Sequence, residues 1–417
     1  MLNLELIRHD PTFVREAIKR RGTDIHVESI LEMDTRRRLL THQGDELREH
    51  RNEVSRDGQP SKKMIQEMRQ IGERIKELEQ DVKDLESKLV DLLLTIPNIP
   101  MDQVPNGLDE TGNVVVRTWG NPYTFDFTPL PHWDIGEGLD IIDFKRGVKL
   151  SGSRFYALRG AGAKLQRGLI NWMLDLHTHK HGYMEIYTPV MVLKEIMQGS
   201  GNLPKFRDNL YHDAEDDLWL IPSAEVPLTG LHNNEILGID ALPLSYVAYS
   251  PCFRREKAAA GKDTRGIKRV HQFDKVELYK YTKPEDSEKE LEKLLGHAEN
   301  VIQQLKIPYK VVQLCAGELG FQSAKSYDLE MWAPGSGEWL EVSSCSNCTD
   351  FQGRRSNIRF RREPRSQTEF VHTLNGSGLA IPRVMISILE NYQQKDGSVI
   401  IPDVLQPYMG SETINSI

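Results

Sequence analysis

The chain has 417 residues, a formal net charge of -8 and 27% charged side chains, enough for two or three domains with a large core. The acidic balance excludes a protein that wraps nucleic acid with its whole surface, so any such contact must come from local patches. No apolar run approaches the ~18 residues of a membrane helix, Met1-Leu2-Asn3-Leu4-Glu5 lacks the basic and apolar regions of a secretory signal, and four cysteines make no disulfide framework at this size. The expectation is a soluble, cytoplasmic protein with no membrane partner.

In chain order, the clearest periodicity lies between residues 61 and 94. Met64, Met68, Ile71, Ile75, Leu78, Val82, Leu85, Leu89 and Leu92 alternate spacings of four and three, the seam of a coiled coil. Such a helix is about 50 Å long at ~1.5 Å per residue. Its narrow stripe needs a partner, and Ile30, Met33, Leu40, Leu47 and Val54 offer one, interrupted by Arg37, Gly44 and Arg51. Asp57-Gly58-Gln59-Pro60 reads as the turn between them, and Ser61 as the cap of the second helix. The expectation is an antiparallel helical hairpin within an N-terminal arm of residues 1–104. Arg36, Arg37, Arg38, Arg48 and Arg51 cluster on the weaker helix and tilt that face toward RNA. The acidic neighbours Glu46 and Glu49 leave an ordinary solvated face open.

Pro97, Pro100, Pro105 and Gly107 end the hairpin, and residues 105–132 read as a connector. The third region, 133–417, opens with an amphipathic helix from about Gly162 to Gly182, with Leu165, Leu169, Trp172, Met173 and Leu176 on one face. That stripe suits either a subunit interface or the core of one subunit. A strand at Tyr183–Met191 follows, then strands near residues 245–250, 268–281 and 339–342 and a helix over 284–305. Neighbouring strands with few βαβ alternations predict an α+β fold built on a mostly antiparallel sheet with flanking helices.

The most informative segment is Phe253-Arg254-Arg255-Glu256, followed by Asp263-Thr264-Arg265-Gly266 and His271-Gln272-Phe273-Asp274-Lys275-Val276-Glu277. It reads as two strands joined by a loop. Phe273, Val276 and Leu278 give an apolar set, but Arg254, Glu256, Asp274 and Glu277 carry too much charge for a passive core strand. A ligand with anionic, aromatic and cationic parts accounts for them, since an arginine fork suits phosphate and a carboxylate suits an amine. Walker and Rossmann signatures are absent. Asn375-Gly376-Ser377-Gly378 reads as a turn, or as backbone brought close to a ligand before a helix containing Arg383.

Three further features have plainer readings. Cys345-Ser346-Asn347-Cys348 is a lone CxxC without two further ligands nearby, so no structural zinc is expected. His177, His179 and His181 suit caps and solvent. Arg354, Arg355, Arg359, Arg361, Arg362 and Arg365 suit either a salt-bridged surface or a phosphate backbone.

The Phe-Arg-x-Glu segment closely resembles motif 2 of class II aminoacyl-tRNA synthetases in its seryl-tRNA synthetase form. Ile221-Pro222-Ser223-Ala224-Glu225 is similar to that family's serine-binding loop. The run Thr373–Ala380 with Arg383 and Glu390-Asn391-Tyr392-Gln393 is similar to its motif 3, and the helix and strand of 162–191 to its motif 1. The resemblance spans the chain. It implies a class II catalytic domain over 133–417, a homodimer, and the substrates L-serine, ATP with Mg²⁺, and tRNA(Ser), with tRNA(Sec) as a further acceptor.

Carried over by the same resemblance, Arg254 and Arg383 are the catalytic cations, on the α-phosphate and the distal phosphates. Ser223, Ala224, Glu225, Arg254, Glu277 and Ser377 would hold serine. ATP would lie against Arg254, Arg255, Glu256, Phe273, Glu341, Val342, Ser343, Ser344 and Arg383, with Glu341 and Ser344 on its Mg²⁺. The family's usual Thr-Ala-Glu is Ser223-Ala224-Glu225 here, the loop Lys257-Ala258-Ala259-Ala260-Gly261-Lys262 is more basic than usual, and Arg255 often has a small residue in its place. Two other readings remain: a homologue that charges a carrier protein, and an inactive tRNA-binding paralogue.

Overall fold

A computed structural model describes residues 1–54, 61–257 and 265–415. It forms two compact units, residues 1–97 and 98–417. The expected turn at 57–60 and residues 258–264 of the loop between the two motif 2 strands lie outside the described residues.

In the first unit, two short helices, α1 (Leu4–His9) and α2 (Pro11–Lys19), precede the long helices α3 (Val27–Val54) and α4 (Lys62–Leu94). The Ser61 hydroxyl accepts the Met64 N–H at 3.2 Å, which caps α4 as its sequence requires. Along α4 the expected seam residues are buried or half-buried, with Ile75, Leu78 and Leu89 the most buried, while nearly all residues between them are exposed. Arg37 meets Glu86 at 3.3 Å and Arg48 meets Glu79 at 2.8 Å. The partner's number falls as the first rises, so the two helices run antiparallel. Asp34 is buried at the foot of α3, where Arg8 (2.6 Å) and Arg37 (3.0 Å) neutralise it.

The second unit is an eight-stranded sheet with helices. Its elements are β1 (Val114–Trp119), α5 (His132–Gly138), α6 (Gly160–His179), β2 (Met184–Glu185), β3 (Leu244–Phe253), β4 (Gln272–Thr282), α7 (Ser287–Gln304), β5 (Tyr309–Gln313), β6 (Lys325–Ala333), β7 (Glu338–Asn347), β8 (His372–Ala380) and α8 (Ile381–Asn391). Strand order is β1-β5-β6-β7-β8-β4-β3-β2. Neighbours are antiparallel except β2 on β3. The segment read as a connector thus supplies an edge strand.

Helices α6, α7 and α8 cover one face of the sheet. Leu165, Leu169, Trp172, Met173 and Leu176 of α6 share a buried cluster with Leu291, Leu294 and Met385. Of the two uses open to that stripe, the chain makes the internal one. Asn375–Gly378 is neither a turn nor a loop but the middle of β8, between β4 and β7. Its glycines serve packing: a Cβ on Gly376 would collide with Leu294, and one on Gly378 would lie 3.1 Å from both His177 Nε2 and Val276 Cγ1.

Candidate active site

The other side of the sheet holds a cavity of about 330 Å³. Strand alternation places its polar lining: Phe273 and Lys275 of β4 face the cavity, with Glu277 on the same side beneath its floor. Val276 and Leu278 point into the helix-covered core, which splits the apolar set expected from sequence. Asp274 also leaves the site, accepting hydrogen bonds from Gln166 (2.6 Å) and the Tyr249 hydroxyl (2.9 Å).

At one end the Arg254 guanidinium lies 5.0 Å over the Phe273 ring, while its Nε donates to the Pro222 carbonyl at 3.3 Å. Glu256, in the left-handed region at φ 48°, approaches Arg269 at 3.8 Å across the same wall. On β7, Glu341 meets Arg383 from the first turn of α8 at 3.2 Å, and Arg383 also donates to the Glu341 carbonyl at 2.6 Å. Burial pushes the Glu341 carboxyl up, but the charge and hydrogen bond of Arg383, with Arg254 and Lys275, hold it below the usual carboxylate range. Ser344 and Ser377 also line the cavity.

At the other end two carboxylates are held differently. Glu277 Oε2 accepts the Ser223 hydroxyl at 2.7 Å and pairs with Lys275, whose ammonium also donates to Ser223 Oγ at 3.2 Å. The Ser223 oxygen further accepts the Glu225 N–H at 3.1 Å, so the hydroxyl is fully engaged in orienting Glu277. Glu225 Oε1 accepts three side-chain amides, Gln352 and Asn375 at 2.8 Å and Gln322 at 3.1 Å. Burial first, and then the Glu277 charge, push the Glu225 carboxyl up to about 7.

The fold therefore brings Glu225, Arg254, Glu256, Phe273, Glu341, Val342, Ser344, Ser377 and Arg383 to one cavity, with Val342 anchoring its side chain in the core behind. Ser223 and Glu277 lie beneath the cavity, tied to the lining residues Lys275 and Glu225. Ala224 is fully buried in a separate cluster with Leu228 and Tyr279. Ser343 donates to the Ser377 carbonyl at 2.7 Å and supports β8 from within the sheet. Arg255 is not brought in: it lies 4.6 Å over the Tyr211 ring and donates to the Leu210 carbonyl at 2.8 Å. Lys275 and Asn375 sit inside recognised motifs, whereas Gln322 and Gln352 carried no pattern.

Elsewhere, Cys345 and Cys348 are buried free thiols, and burial pushes Cys345 up to about 12. Among the described residues no group of three or more His, Cys, Asp or Glu is arranged to hold a metal ion. At least four of the six clustered arginines have partners within the protein, Arg359 donating to the Thr368 hydroxyl at 3.4 Å. Arg354 pairs with Asp350 at 2.6 Å, Arg362 with Glu285 (2.7 Å) and Glu369 (2.6 Å), and Arg355 donates to two carbonyls while packed on Phe351.

Residues 206–392 match the family model for the tRNA synthetase class II core domain (G, H, P, S and T), and residues 1–100 that for the seryl-tRNA synthetase N-terminal domain. The chain is 59% identical over 414 residues to the serine–tRNA ligase of Dehalococcoides mccartyi, covering 99% of this chain and 100% of that one. It is 56% identical over 418 residues to the serine–tRNA ligase of Thermomicrobium roseum, covering 99% and 94%. The seryl-tRNA synthetase of Pyrococcus horikoshii complexed with ATP superposes at a TM-score of 0.95, with 41% identity and 100% of both chains covered. A prolyl-tRNA synthetase from Giardia lamblia, 14% identical at a TM-score of 0.58, shares the fold alone. With full-length relatives at this identity and both of the family's domain types in the expected order, the chain belongs to the seryl-tRNA synthetase family of class II aminoacyl-tRNA synthetases.

Proposed function

We infer that the chain is a serine–tRNA ligase, which activates L-serine with ATP and transfers it to the 3′ end of tRNA(Ser). The observation that carries this reading is a single cavity lined by two cations suited to phosphate, Arg254 and Arg383, and by the buried carboxylate of Glu225, with the buried Glu277 paired to the lining Lys275. Neither a carrier-charging enzyme nor an inactive paralogue is favoured by full-length relatives named as serine–tRNA ligases.

The serine ammonium would lie at Glu225, and its hydroxyl at the oxygen of Glu277 that Ser223 and Lys275 leave free. A site built to hydrogen-bond a hydroxyl rejects the analogue without one, because its buried polar groups are left unpaired. Adenine would stack on Phe273 near Glu256, with Arg254 at the α-phosphate and Arg383 at the distal phosphates. A carboxylate oxygen of serine attacks the α-phosphorus in line, the bond to the bridging oxygen breaks, and pyrophosphate leaves. The 3′-hydroxyl of tRNA then attacks the carbonyl carbon of the seryl-adenylate, and AMP leaves. The arginines neutralise charge and fix the geometry, and no covalent protein nucleophile is needed. Glu341 and Ser344 offer the hard oxygen donors that would hold Mg²⁺, which supplies further charge neutralisation when bound with ATP.

The finer assignments belong to the same reading: a cytoplasmic homodimer that also serves tRNA(Sec). The dimer is supported by apolar side chains left bare just after α6, Met184 at 61%, Tyr187 at 92% and Leu193 at 51% exposure. Purified chain, ATP and labelled serine should charge tRNA(Ser), and no ester on tRNA(Ser) would refute the assignment. Light scattering at micromolar concentration should give twice the chain mass.

A further inference from the structure

A buried pair lies outside the cavity lining, and neither member has a role in the reading above. His132, at the start of α5, is 2% exposed and Glu390, on α8, is fully buried. The Glu390 carboxylate accepts the His132 N–H at 2.9 Å, the Ser336 N–H at 2.9 Å and the Ser336 hydroxyl at 2.8 Å. Its Oε1 also lies 3.1 Å from His132 Nδ1. With donors on both oxygens the carboxylate acts as acceptor, so Nδ1 carries the imidazole proton and Nε2 a lone pair. That lone pair accepts the N–H of Ile267 at 3.1 Å.

The surroundings are shaped for this contact. Gly266, at φ 78°, lies so close that any Cβ would collide with His132 Nε2. Arg265 stacks 4.9 Å over the Trp133 ring and reaches Asp134 at 3.1 Å, so residues 132–134 grip 265–267 at three points. Ile267, Lys268, Arg269 and Val270 then form the cavity wall that leads to Phe273. On α8, Glu390 lies seven residues beyond Arg383, about 10 Å along the axis at ~1.5 Å per residue.

We propose that His132 is a positioning residue for ATP: through the main chain of Gly266 and Ile267 it fixes the wall of residues 267–270 to the helix that carries Arg383. A histidine oriented by a carboxylate holds one tautomer and one angle, and the wall it supports keeps its shape before the nucleotide arrives. The inference rests on reading the cavity as the ATP site.

That reading is checked first, on the unaltered chain, by serine-dependent ATP–pyrophosphate exchange; without exchange it fails before His132 is at issue. Given exchange, His132→Leu is expected to lower kcat/KM for ATP about 10- to 100-fold, while KM for serine moves less than about twofold. His132→Gln returns an acceptor near the position of Nε2 and should recover part of the loss. Gly266→Ala attacks the contact from the other side, and it decides the matter should His132→Leu fail to fold. Its added methyl displaces the imidazole and should give the same selective loss for ATP. Unchanged kcat/KM for ATP in folded His132→Leu or in Gly266→Ala, equal losses for ATP and serine, or no recovery in His132→Gln would overturn the proposal.

Discussion

Charge is placed differently in the two units of this chain. Along the hairpin of the arm, above the buried Asp34 at its foot, it lies outside: the Arg48–Glu79 pair that crosses the hairpin leaves its side chains 38% and 53% exposed. Pairs of that kind contribute about 0–1 kcal/mol, so the hairpin stands on its narrow apolar seam and tolerates change on its faces. In the body charge lies inside, where Glu277 is 1% exposed and Glu390 fully buried. Removing one partner of such a pair strands the other in a low-dielectric interior, at about 3–5 kcal/mol. We propose that the arm is the surface that meets tRNA; such a surface can be loosely specified, whereas a site that positions two small substrates cannot.

The largest effect that sharpens this contrast is expected at Glu277. Glu277→Ala leaves Lys275 and Ser223 without their shared acceptor and should abolish serine-dependent exchange. It should also lower stability by about 3–5 kcal/mol in denaturant titration. Near-normal exchange in this variant and in Arg254→Ala would refute the assignment of the cavity. Next in size is Leu78→Ala in the seam of α4. The lost burial should destabilise the arm by about 2–5 kcal/mol and leave exchange intact, readable as earlier melting of the helical signal.

A smaller effect follows from pH. The Glu225 carboxyl is raised to about 7 in the folded chain, above the ~4.3 of an unfolded glutamate. Its ionised form is therefore disfavoured between those values, and in the empty site it is protonated below about 7. Serine's ammonium favours the ionised form, so binding releases a proton. Serine KM should rise as pH falls below about 7, by at most about tenfold per unit, and Glu225→Gln should flatten the profile. A flat profile in the unaltered chain would contradict this role for Glu225.

The smallest effect is on the arm's surface. Arg37 and Arg48 are taken up by Asp34, Glu86, Asp45 and Glu79, whereas Arg36 and Arg38 are exposed with no ion-pair partner among the described residues. Substituting Arg36 or Arg38 by Ala should each reduce the salt slope of tRNA binding by about 1, and Arg48→Ala by less. Equal slopes would show that the two classes of arginine do not differ.

What was legible in the sequence follows the same division. The α4 seam and its Ser61 cap could be read directly because a solvated two-helix hairpin has only local rules to obey. The burial of Asp34 could not, since a charged residue on a weak stripe gives no periodic sign of the Arg8 that neutralises it. In the body, the motif residues were found as segments but not as geometry. Asn375–Gly378 resembled a turn because its glycines make room for Leu294 and His177, which lie far away in sequence. Arg254 and Arg255 are adjacent and look alike, yet only Arg254 faces the cavity. Gln322 and Gln352, which bind Glu225, carry no spacing that marks them. The α6 stripe fitted two destinations equally, and only the packed core decides between them.

The most direct test of the contrast between arm and body is to remove residues 30–94, close the gap with a short linker, and assay both half-reactions. Serine-dependent pyrophosphate exchange should stay within about twofold of the full chain, because the cavity is built wholly from residues 98–417. Charging of tRNA(Ser) should fall by orders of magnitude. Charging that equals the full chain's, or exchange that falls as far as charging does, would contradict that contrast.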